Sequence, residues 1–374
     1  MKKKNFFTVF LQKITNLDIL HYQQEFLKYL ESKNWIQEPK NLYEPIDYIL
    51  QLGGKRMRPI LTLMAADIFS TEYKKALPAA LAVEVFHNFT LVHDDIMDDA
   101  PLRRGKATVH EKWDINTGIL SGDAMLIMAY KYFENYEPVV FQKLAKLFSK
   151  TALEVCDGQQ LDVDFETRND VTIDEYINMI RLKTSVLVAA ALKMGAIVAE
   201  SSEEDSNLIY DFGLNLGLAF QLQDDYLDTF GDPETFGKQV GGDIIENKKT
   251  YLYLKALEVS ALDDKNNLLA FYDKKLEDNS LKIKEVRRIF ELNDIPVLIK
   301  EQIENYLNSP GGVLVLEETE PTKKVPIEIY SEVTPNPSVL KFVANKKLVE
   351  FDLGYVEQSS GKYFVRNVFN VTLM

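Results

Sequence analysis

Cysteine is nearly absent from this sequence, which has one, Cys156, among 374 residues. A single thiol excludes an internal disulfide and a cysteine-built metal site, and it predicts a reducing, cytoplasmic location. Positive charge is also scarce, because 43 Lys and Arg face 57 Asp and Glu, a net charge of −14. This balance argues against nucleic acid as a partner, since binding it requires a basic face.

Long apolar runs are missing as well. No stretch approaches the roughly 18 apolar residues of a membrane-spanning helix, so the chain is not expected to span a membrane. The basic start, residues 1–13, has a short apolar stretch without a small-residue cleavage site, which argues against a signal peptide. With 46% apolar residues, the chain can bury one large core or two smaller ones.

Apolar periodicity predicts helices over most of the chain, from about residue 17 to 307. Residues 79–97 and 210–227 are apolar on nearly every side, which is typical of helices buried inside a bundle. Further helices are expected at residues 122–136, 141–165 and 173–199, separated by breakers at residues 137–138 and 168–172.

The pattern changes after residue 308. Five of the 13 prolines lie between Pro310 and Pro337, and short stretches rich in Val, Ile, Phe and Tyr follow at residues 325–333, 340–352 and 363–372. We therefore predict a helical domain at residues 1–308, a linker at 309–324, and a small β-rich or α+β appendage at 325–374. About 50 residues are few for an independent core, so we expect this appendage to be incomplete or to depend on a partner.

Two acidic clusters each end one of the most apolar helices. Their aspartates repeat at i, i+1 and i+4, so three carboxylates are expected near one side of a helix end. Two carboxylates about 4 Å apart repel by roughly 4 kcal/mol at an effective dielectric near 20, so such ends favour a bound cation. Oxygen ligands select Mg²⁺ or Mn²⁺ over zinc. The clusters are Asp94-Asp95-Ile96-Met97-Asp98-Asp99 and Asp224-Asp225-Tyr226-Leu227-Asp228.

Cations stand near these clusters in the sequence, where an anionic substrate would need them. A glycine pair precedes Lys55 and Arg58, and glycines permit close approach of backbone to an anion. Taken singly, each cation could be an ordinary surface charge. The others are Arg103, Arg104, Lys183 (followed by Thr184), Lys238 and Lys248.

Across residues 20–308, the sequence resembles the isoprenyl diphosphate synthase (polyprenyl synthetase) family. The resemblance rests on these motifs, in this order: GGKRMRP, HDDIMDD, RRGKATVH, a mid-chain KT, FQLQDDYLD, GK and NK. The resemblance implies an all-α fold, an antiparallel helical bundle around a central cavity (the isoprenoid synthase fold). It also implies that the acidic motifs face each other across the cavity mouth and that the protein is a homodimer.

By the same resemblance, the protein is a trans-prenyltransferase that joins an allylic diphosphate to isopentenyl diphosphate by Mg²⁺-assisted ionisation. Several Mg²⁺ ions are implied, with Mn²⁺ as a possible substitute. The implied metal ligands are Asp94, Asp95, Asp98, Asp224 and Asp228. The implied catalytic set adds Asp225, Lys183 and Lys238.

The family pattern also implies which residues bind the two substrates. Those resembling the isopentenyl diphosphate site are Lys55, Arg58, His87 and Arg104. Those resembling the allylic diphosphate site are Arg103, Lys183, Thr184, Gln221, Lys238 and Lys248. The other two histidines near these motifs, His93 and His110, are assigned to structure.

Product length in this family depends on the residues four and five before the first aspartate, here Thr90 and Phe89. The Cα of Phe89 lies about 7.5 Å along the helix from that of Asp94, so a growing chain would meet its ring early. A product of fifteen or twenty carbons is therefore expected. The alternative, that Phe89 only packs in the core, is equally consistent with the sequence.

Two other functions remain open at this point. A class I terpene cyclase shares the first motif but needs one diphosphate site, and a non-catalytic subunit would need neither cluster. Separately, residues 325–348 are similar to the N-terminal domain of Nfu/NifU-type iron–sulfur scaffold proteins through Thr334–Pro337 and Leu340–Phe342. Without a CxxC motif, no iron–sulfur site is expected there.

Overall fold

The computed structural model describes residues 19–231, 240–273 and 279–307, together with the backbone of five short strands nearer the C-terminus. These residues divide into two compact units. The N-terminal unit contains Leu17–Lys150 and Ala190–Tyr210, and the C-terminal unit contains Thr151–Ala189 and the described residues from Asp211 onward.

Helices account for most of the described chain, as the periodicity predicts. A hairpin of β1 (Leu102–Arg103) and β2 (Lys106–Ala107) precedes α5, and a 3-10 turn covers Tyr73–Ala76. Within the described residues, the first seven helices are α1 (Ile19–Glu31), α2 (Lys40–Gln51), α3 (Met57–Phe69), α4 (Leu77–Met97), α5 (Val109–Lys112), α6 (Ile115–Phe133) and α7 (Pro138–Thr167).

The remaining helices follow the breaker predicted at residues 168–172. A π-helical turn, Arg181–Ser185, interrupts the predicted helix 173–199. None of the described helices has the length and apolar character needed to cross a membrane. They are α8 (Ile173–Ile180), α9 (Val186–Val198), α10 (Glu203–Phe230), α11 (Gly242–Ile245), α12 (Tyr251–Val259), α13 (Leu262–Asp273), α14 (Asn279–Leu292) and α15 (Ile295–Leu307).

Nearer the C-terminus the chain forms strands. An antiparallel sheet has the order β3–β4–β7, and β5 pairs with β6. Strands therefore occur within the predicted β-like stretches 340–352 and 363–372, whereas 325–333 lies outside the described residues. Their bounds are β3 (Val339–Ala344), β4 (Lys347–Asp352), β5 (Tyr355–Glu357), β6 (Tyr363–Val365) and β7 (Val371–Leu373).

Helix α4 forms the centre of the N-terminal unit. Every residue from Ala79 to Phe86 is at most 2% exposed, and the helix packs against α3 and α6. Burial ends where the apolar sequence ends, since Met97 is 58% exposed. The first acidic cluster therefore stands where a buried helix reaches the surface of its unit.

Helix α12 is a buried helix of the C-terminal unit, as α4 is of the N-terminal unit. Its residues Tyr251–Leu254 are buried, and it packs against α8, α14 and α15. Helix α8 begins at a capping box in which Thr172 and Glu175 satisfy each other's backbone N–H groups. This cap fixes the start of the segment that carries Lys183.

Candidate active site

A buried ion pair stabilises the glycine-rich turn before α3. Arg56 is 5% exposed and donates to the carboxylate of Glu84 on α4 and to the Leu50 carbonyl. The same carboxylate accepts a 3.1 Å hydrogen bond from Asn88 Nδ2. Glu84 is 2% exposed. The buried pair therefore fixes the position of the backbone that carries the neighbouring cations Lys55 and Arg58.

Arg58 and His87 lie together in the N-terminal unit. Arg58 Nη1 donates to His87 Nε2 over 3.2 Å, so this nitrogen accepts and the other ring nitrogen carries the proton. Burial, and then the positive charges of Arg58 and Arg104, hold the pKa of His87 well below its usual value. A neutral imidazole among guanidinium groups can donate to an anion without adding to the cation repulsion.

His87→Gln is expected to lower the acid sensitivity of folding. The folded-state pKa of His87 lies below that of a free histidine, about 6.5, so the unfolded chain takes up the proton first. Stability is therefore full above about pH 6.5 and falls below it, by up to about 1.4 kcal/mol per pH unit. Urea denaturation at about pH 7.5 and about pH 5.5 measures this difference.

His21→Gln is the matched control, because it removes a histidine from an exposed position of the same unit. Because His87 is intact in this control, the acid sensitivity that its burial causes should remain. Parallel pH dependence in the wild type and His87→Gln would contradict a neutral His87.

The first acidic helix end holds its aspartates in different environments. Asp94 is half-buried and Asp98 is exposed, whereas Asp95 is 1% exposed and accepts from Arg103 Nε at 2.9 and 2.8 Å and from Arg103 Nη2 at 2.6 Å. The three aspartates predicted as metal ligands therefore differ in environment, and their metal-binding role stays a prediction. Asp95 orients Arg103, and Asp94 and Asp98 are the carboxylates placed toward solvent.

The β1–β2 hairpin after this helix end places a second arginine, Arg104, beside the glycine turn. Arg104 donates to the Gly53 carbonyl. Gly54 has φ 122°, and a Cβ there would lie 2.9 Å from the Arg104 guanidinium carbon. A side chain at Gly54 is thus disfavoured by backbone and by space. Arg58, His87 and Arg104, predicted to act together, are neighbours in this unit.

The second acidic helix end contains a hydrogen-bond chain. Asp225 accepts from the Tyr176 hydroxyl and, over 3.2 Å, from Gln221 Nε2. Gln221 Oε1 in turn accepts a 3.1 Å hydrogen bond from the Thr184 hydroxyl. This arrangement fixes the Gln221 amide orientation and couples three predicted site residues to Tyr176.

Asp225 differs from its neighbours in burial. It is 3% exposed, and burial followed by the charge of Asp243 raises the pKa of its carboxyl well above the usual range. Burial and the Asp225 charge likewise raise the pKa of the Tyr176 hydroxyl. A carboxyl in this setting is suited to positioning the groups that contact it.

The π-helical turn places Lys183 beside α7. Lys183 Nζ forms an ion pair with the Asp162 carboxylate. The backbones approach closely here, because a Cβ on Gly158 would lie 2.2 Å from the Lys183 backbone nitrogen. Such turns often occur at functional sites. The sequence identified Lys183 and Thr184 but not the turn that presents them.

Asp243 is a site residue that sequence reasoning missed. Its backbone N–H donates to Asp228 Oδ2 over 3.0 Å, and its carboxylate lies 3.8 Å from Lys248 Nζ. Burial acts to lower the pKa of Lys248, but the carboxylates of Asp243 and Glu246 outweigh it, so the net pKa is raised. The signal was an acidic residue directly after Gly241-Gly242. Lys238 lies outside the described residues.

A buried lysine supports this segment from α14. Lys282 is 2% exposed and donates to the Ile245 carbonyl over 3.4 Å and to the Asn247 side chain. It therefore holds the backbone immediately before Lys248. A single lysine at a buried helix position gave no sequence signal that set it apart from the surface lysines.

Phe89 lies among rings on α4. Its ring centroid is 5.5 Å from that of Phe86 and 4.8 Å from that of His93, and its side chain is half-buried. Thr90 donates its hydroxyl to the His87 carbonyl over 2.8 Å. His93 Nε2 lies 3.2 Å from the Ile119 carbonyl.

The donors at both acidic helix ends suit a hard divalent cation. They are carboxylate oxygens, the ligand type that Mg²⁺ prefers. They also stand at helix C-termini, where the helix dipole adds negative potential and a cation is stabilising. Two such ends, accompanied by guanidinium and ammonium groups, are the arrangement expected of an enzyme class that handles diphosphate esters with divalent metal.

Comparisons with known proteins agree with this class. The polyprenyl synthetase family model matches residues 39–290. The geranylgeranyl diphosphate synthase of Methanosarcina mazei is 43% identical over 225 residues, 60% of this chain and 69% of that protein. The geranylfarnesyl diphosphate synthase of Natronomonas pharaonis is 41% identical over 239 residues, 59% of this chain and 70% of that protein.

A solved structure is also similar. The crystal structure of a geranylgeranyl pyrophosphate synthase aligns with a TM-score of 0.75 and 58% identity, covering 77% of this chain and 89% of that one. The chain belongs to the polyprenyl synthetase family. Its fold is the all-α isoprenoid synthase fold, and it is a short-chain trans-prenyltransferase.

Proposed function

We propose that this enzyme condenses an allylic diphosphate with isopentenyl diphosphate to give a polyprenyl diphosphate of fifteen or twenty carbons. The carbon–oxygen bond of the allylic diphosphate breaks, a carbon–carbon bond forms to the alkene, and the proton lost is accepted by the released diphosphate. The observation that carries the proposal is the presence of two acidic helix ends in one chain, each with a cation nearby. Arg103 pairs with Asp95 of the first, and Lys248 pairs with Asp243, whose backbone N–H donates to Asp228 of the second.

Magnesium is the proposed cofactor. Asp94 and Asp98 would hold it at the first helix end, and Asp224 and Asp228 at the second. When bound, Mg²⁺ neutralises diphosphate charge and so makes it a better leaving group. Asp95 is proposed to act through Arg103, since the guanidinium occupies both of its oxygens. Asp225 is proposed to act through Gln221.

The cations divide between the two substrates. For isopentenyl diphosphate we propose the neighbouring Arg58, His87 and Arg104, with Lys55 from the same turn. A neutral His87 supports this assignment because it donates to phosphate without raising local charge. For the allylic diphosphate we propose Arg103, Lys183, Thr184, Gln221, Lys238 and Lys248.

Incubation of the full chain with isopentenyl and dimethylallyl diphosphates tests the proposal. With Mg²⁺, longer linear diphosphates are expected, and chelation should abolish them. A cyclic hydrocarbon would indicate a class I terpene cyclase instead. No conversion under any metal condition would support a non-catalytic subunit.

Phe89→Ala is expected to lengthen the product by at least one five-carbon unit. The half-buried ring precedes Asp94 on α4, so its loss removes bulk from the path of a growing chain. Chromatography of the dephosphorylated products measures chain length. Leu91→Ala, which removes bulk two positions along the same helix, serves as control. An unchanged product from Phe89→Ala would remove this residue as the stop.

A homodimer is proposed as the functional state. Ile119, Leu120 and Ile127 on α6 are 40%, 60% and 66% exposed, and they lie on the solvent-facing side of the helix. A second copy of the chain would cover these apolar groups. Sedimentation equilibrium should give twice the chain mass, and Ile127→Glu should shift it toward the monomer. A wild-type monomer would refute the proposal.

The domain boundaries at 308 and 324, the Nfu/NifU-like resemblance and the cytoplasmic location stay predictions. Thr334–Pro337 lies outside the described residues, and Leu340–Phe342 falls within β3. Limited proteolysis of the full chain would test the boundaries, since cleavage should concentrate between residues 309 and 324. Cleavage elsewhere would contradict a linker there.

A further inference from the structure

A group of possible metal ligands lies beyond the aspartates assigned to magnesium. Asp99, His110 and Glu111 each offer one donor atom, and these atoms lie within 4.8 Å of one another. All three belong to the N-terminal unit. The proposed diphosphate and magnesium sites use none of them.

His110 is the unusual member of this group. It is 8% exposed, and neither ring nitrogen has a hydrogen-bond partner. Its Nε2 lies 3.9 Å from a carboxylate oxygen of Glu111. Buried imidazoles nearly always have a partner for at least one nitrogen, and a metal ion is a common one.

The backbone brings the three residues together. After α4 the chain turns at Asp99, which has φ 48°, and leads into the β1–β2 hairpin. Thr108 closes this segment, because its hydroxyl donates to the Ala100 carbonyl over 2.8 Å and its N–H to the Pro101 carbonyl over 3.2 Å. His110 and Glu111 come two and three residues after Thr108, on α5, and their donor atoms lie near that of Asp99.

We propose that Asp99, His110 and Glu111 bind a transition-metal ion, with Zn²⁺ as the best match. One imidazole with two carboxylates is a ligand set for zinc, whereas Mg²⁺ prefers oxygen ligands alone. Asp99 and Glu111 are exposed, so rotation of their side chains can bring their oxygens to about 2.0–2.2 Å from the ion. Water would complete the coordination on the solvent side.

The ion would act as a structural clip. It would fasten the end of α4, which carries Asp94 and Asp98, to the segment that follows the hairpin of Arg103 and Arg104. Binding to the folded state alone would raise stability with Zn²⁺ concentration. The clip would therefore limit movement of the hairpin arginines relative to the first acidic helix end.

Calorimetric titration of the metal-free full chain with ZnCl₂, in excess Mg²⁺, tests this site. The excess Mg²⁺ competes with zinc for the aspartate clusters, and the ligand variants then assign the remaining uptake. One zinc per chain is expected for the wild type, with a zinc-dependent rise in melting temperature. Asp99→Asn and Glu111→Gln should each weaken zinc binding by about tenfold or more. Both positions are exposed, so the variants should fold.

Glu134→Gln, which removes an exposed carboxylate directly after α6, should bind zinc like the wild type. An anomalous difference map at the zinc edge should place the ion against the His110 ring. Undiminished uptake in both ligand variants would overturn the proposal. So would uptake that disappears only in the double variant Asp94→Asn/Asp98→Asn, because the zinc would then occupy the magnesium cluster.

Discussion

Asp94→Asn is expected to lower kcat by roughly a thousandfold, which corresponds to about 4 kcal/mol of lost transition-state stabilisation. The carboxylate stands toward solvent at a helix C-terminus, where it is proposed to hold Mg²⁺. An amide keeps the size of the side chain and removes the charge that attracts the ion. Steady-state kinetics at saturating substrates, across a range of Mg²⁺ concentrations, would also show a higher half-saturating Mg²⁺ concentration.

Asp95→Asn separates the roles of the two adjacent aspartates. We expect it to lower kcat as well, because a neutral amide cannot hold the Arg103 guanidinium through two charged oxygens. Its half-saturating Mg²⁺ concentration should stay at the wild-type value. An increase as large as that of Asp94→Asn would show that Asp95 binds the metal. Asp123→Asn, at an exposed position on α6, is the charge-matched control.

Glu84→Gln should destabilise the fold by about 3–5 kcal/mol, because it leaves the buried Arg56 guanidinium without a counter-charge. Both side chains of this pair are almost fully buried, at 2% and 3% exposure. Urea denaturation measures the loss in unfolding free energy. The double variant Glu84→Gln/Arg56→Gln should recover part of it, since no charge then remains buried alone.

Glu72→Gln provides the comparison for this experiment. It breaks the ion pair with Lys75, whose side chains are 63% and 69% exposed, and exposed pairs contribute little to stability. Equal losses from Glu84→Gln and Glu72→Gln would mean that burial of the Arg56 pair has no special importance.

The sequence was sufficient to predict the main elements that carry the chemistry. Apolar periodicity located α4 and α10, and the acidic clusters do stand at their C-terminal ends. The predicted breaker at residues 168–172 coincides with the gap after α7, and the breaker at 137–138 marks its start, with Pro138 as its first residue. These features are local, because each depends on a pattern within one or two helical turns.

Local sequence patterns did not predict the contacts between residues that are far apart in the chain. Asp94 and Asp95 look equivalent in a DDxxD pattern, but adjacent helical residues differ by about 100° in direction, so one can be buried while the other reaches solvent. The partner of Asp95, Arg103, comes from a hairpin. Likewise the Tyr176–Asp225 contact joins α8 to α10, and no spacing rule connects them.

Glu84 illustrates a signal that could have been used. It is a lone charge in an otherwise apolar run of α4, and a charge in such a run must find a partner or be neutralised. That partner, Arg56, stood in the glycine-rich motif between two residues that drew attention as phosphate ligands.

The π-helical turn at Arg181–Ser185 departs from regular α-helical geometry and positions Lys183. A one-residue deletion there would allow an unbroken α-helix, which is the more favourable backbone when considered alone. The same deletion would remove the widened turn that brings the Lys183 backbone against Gly158, and Lys183 could no longer meet Asp162. A one-residue deletion within these five residues should therefore lower activity even though it leaves a regular helix.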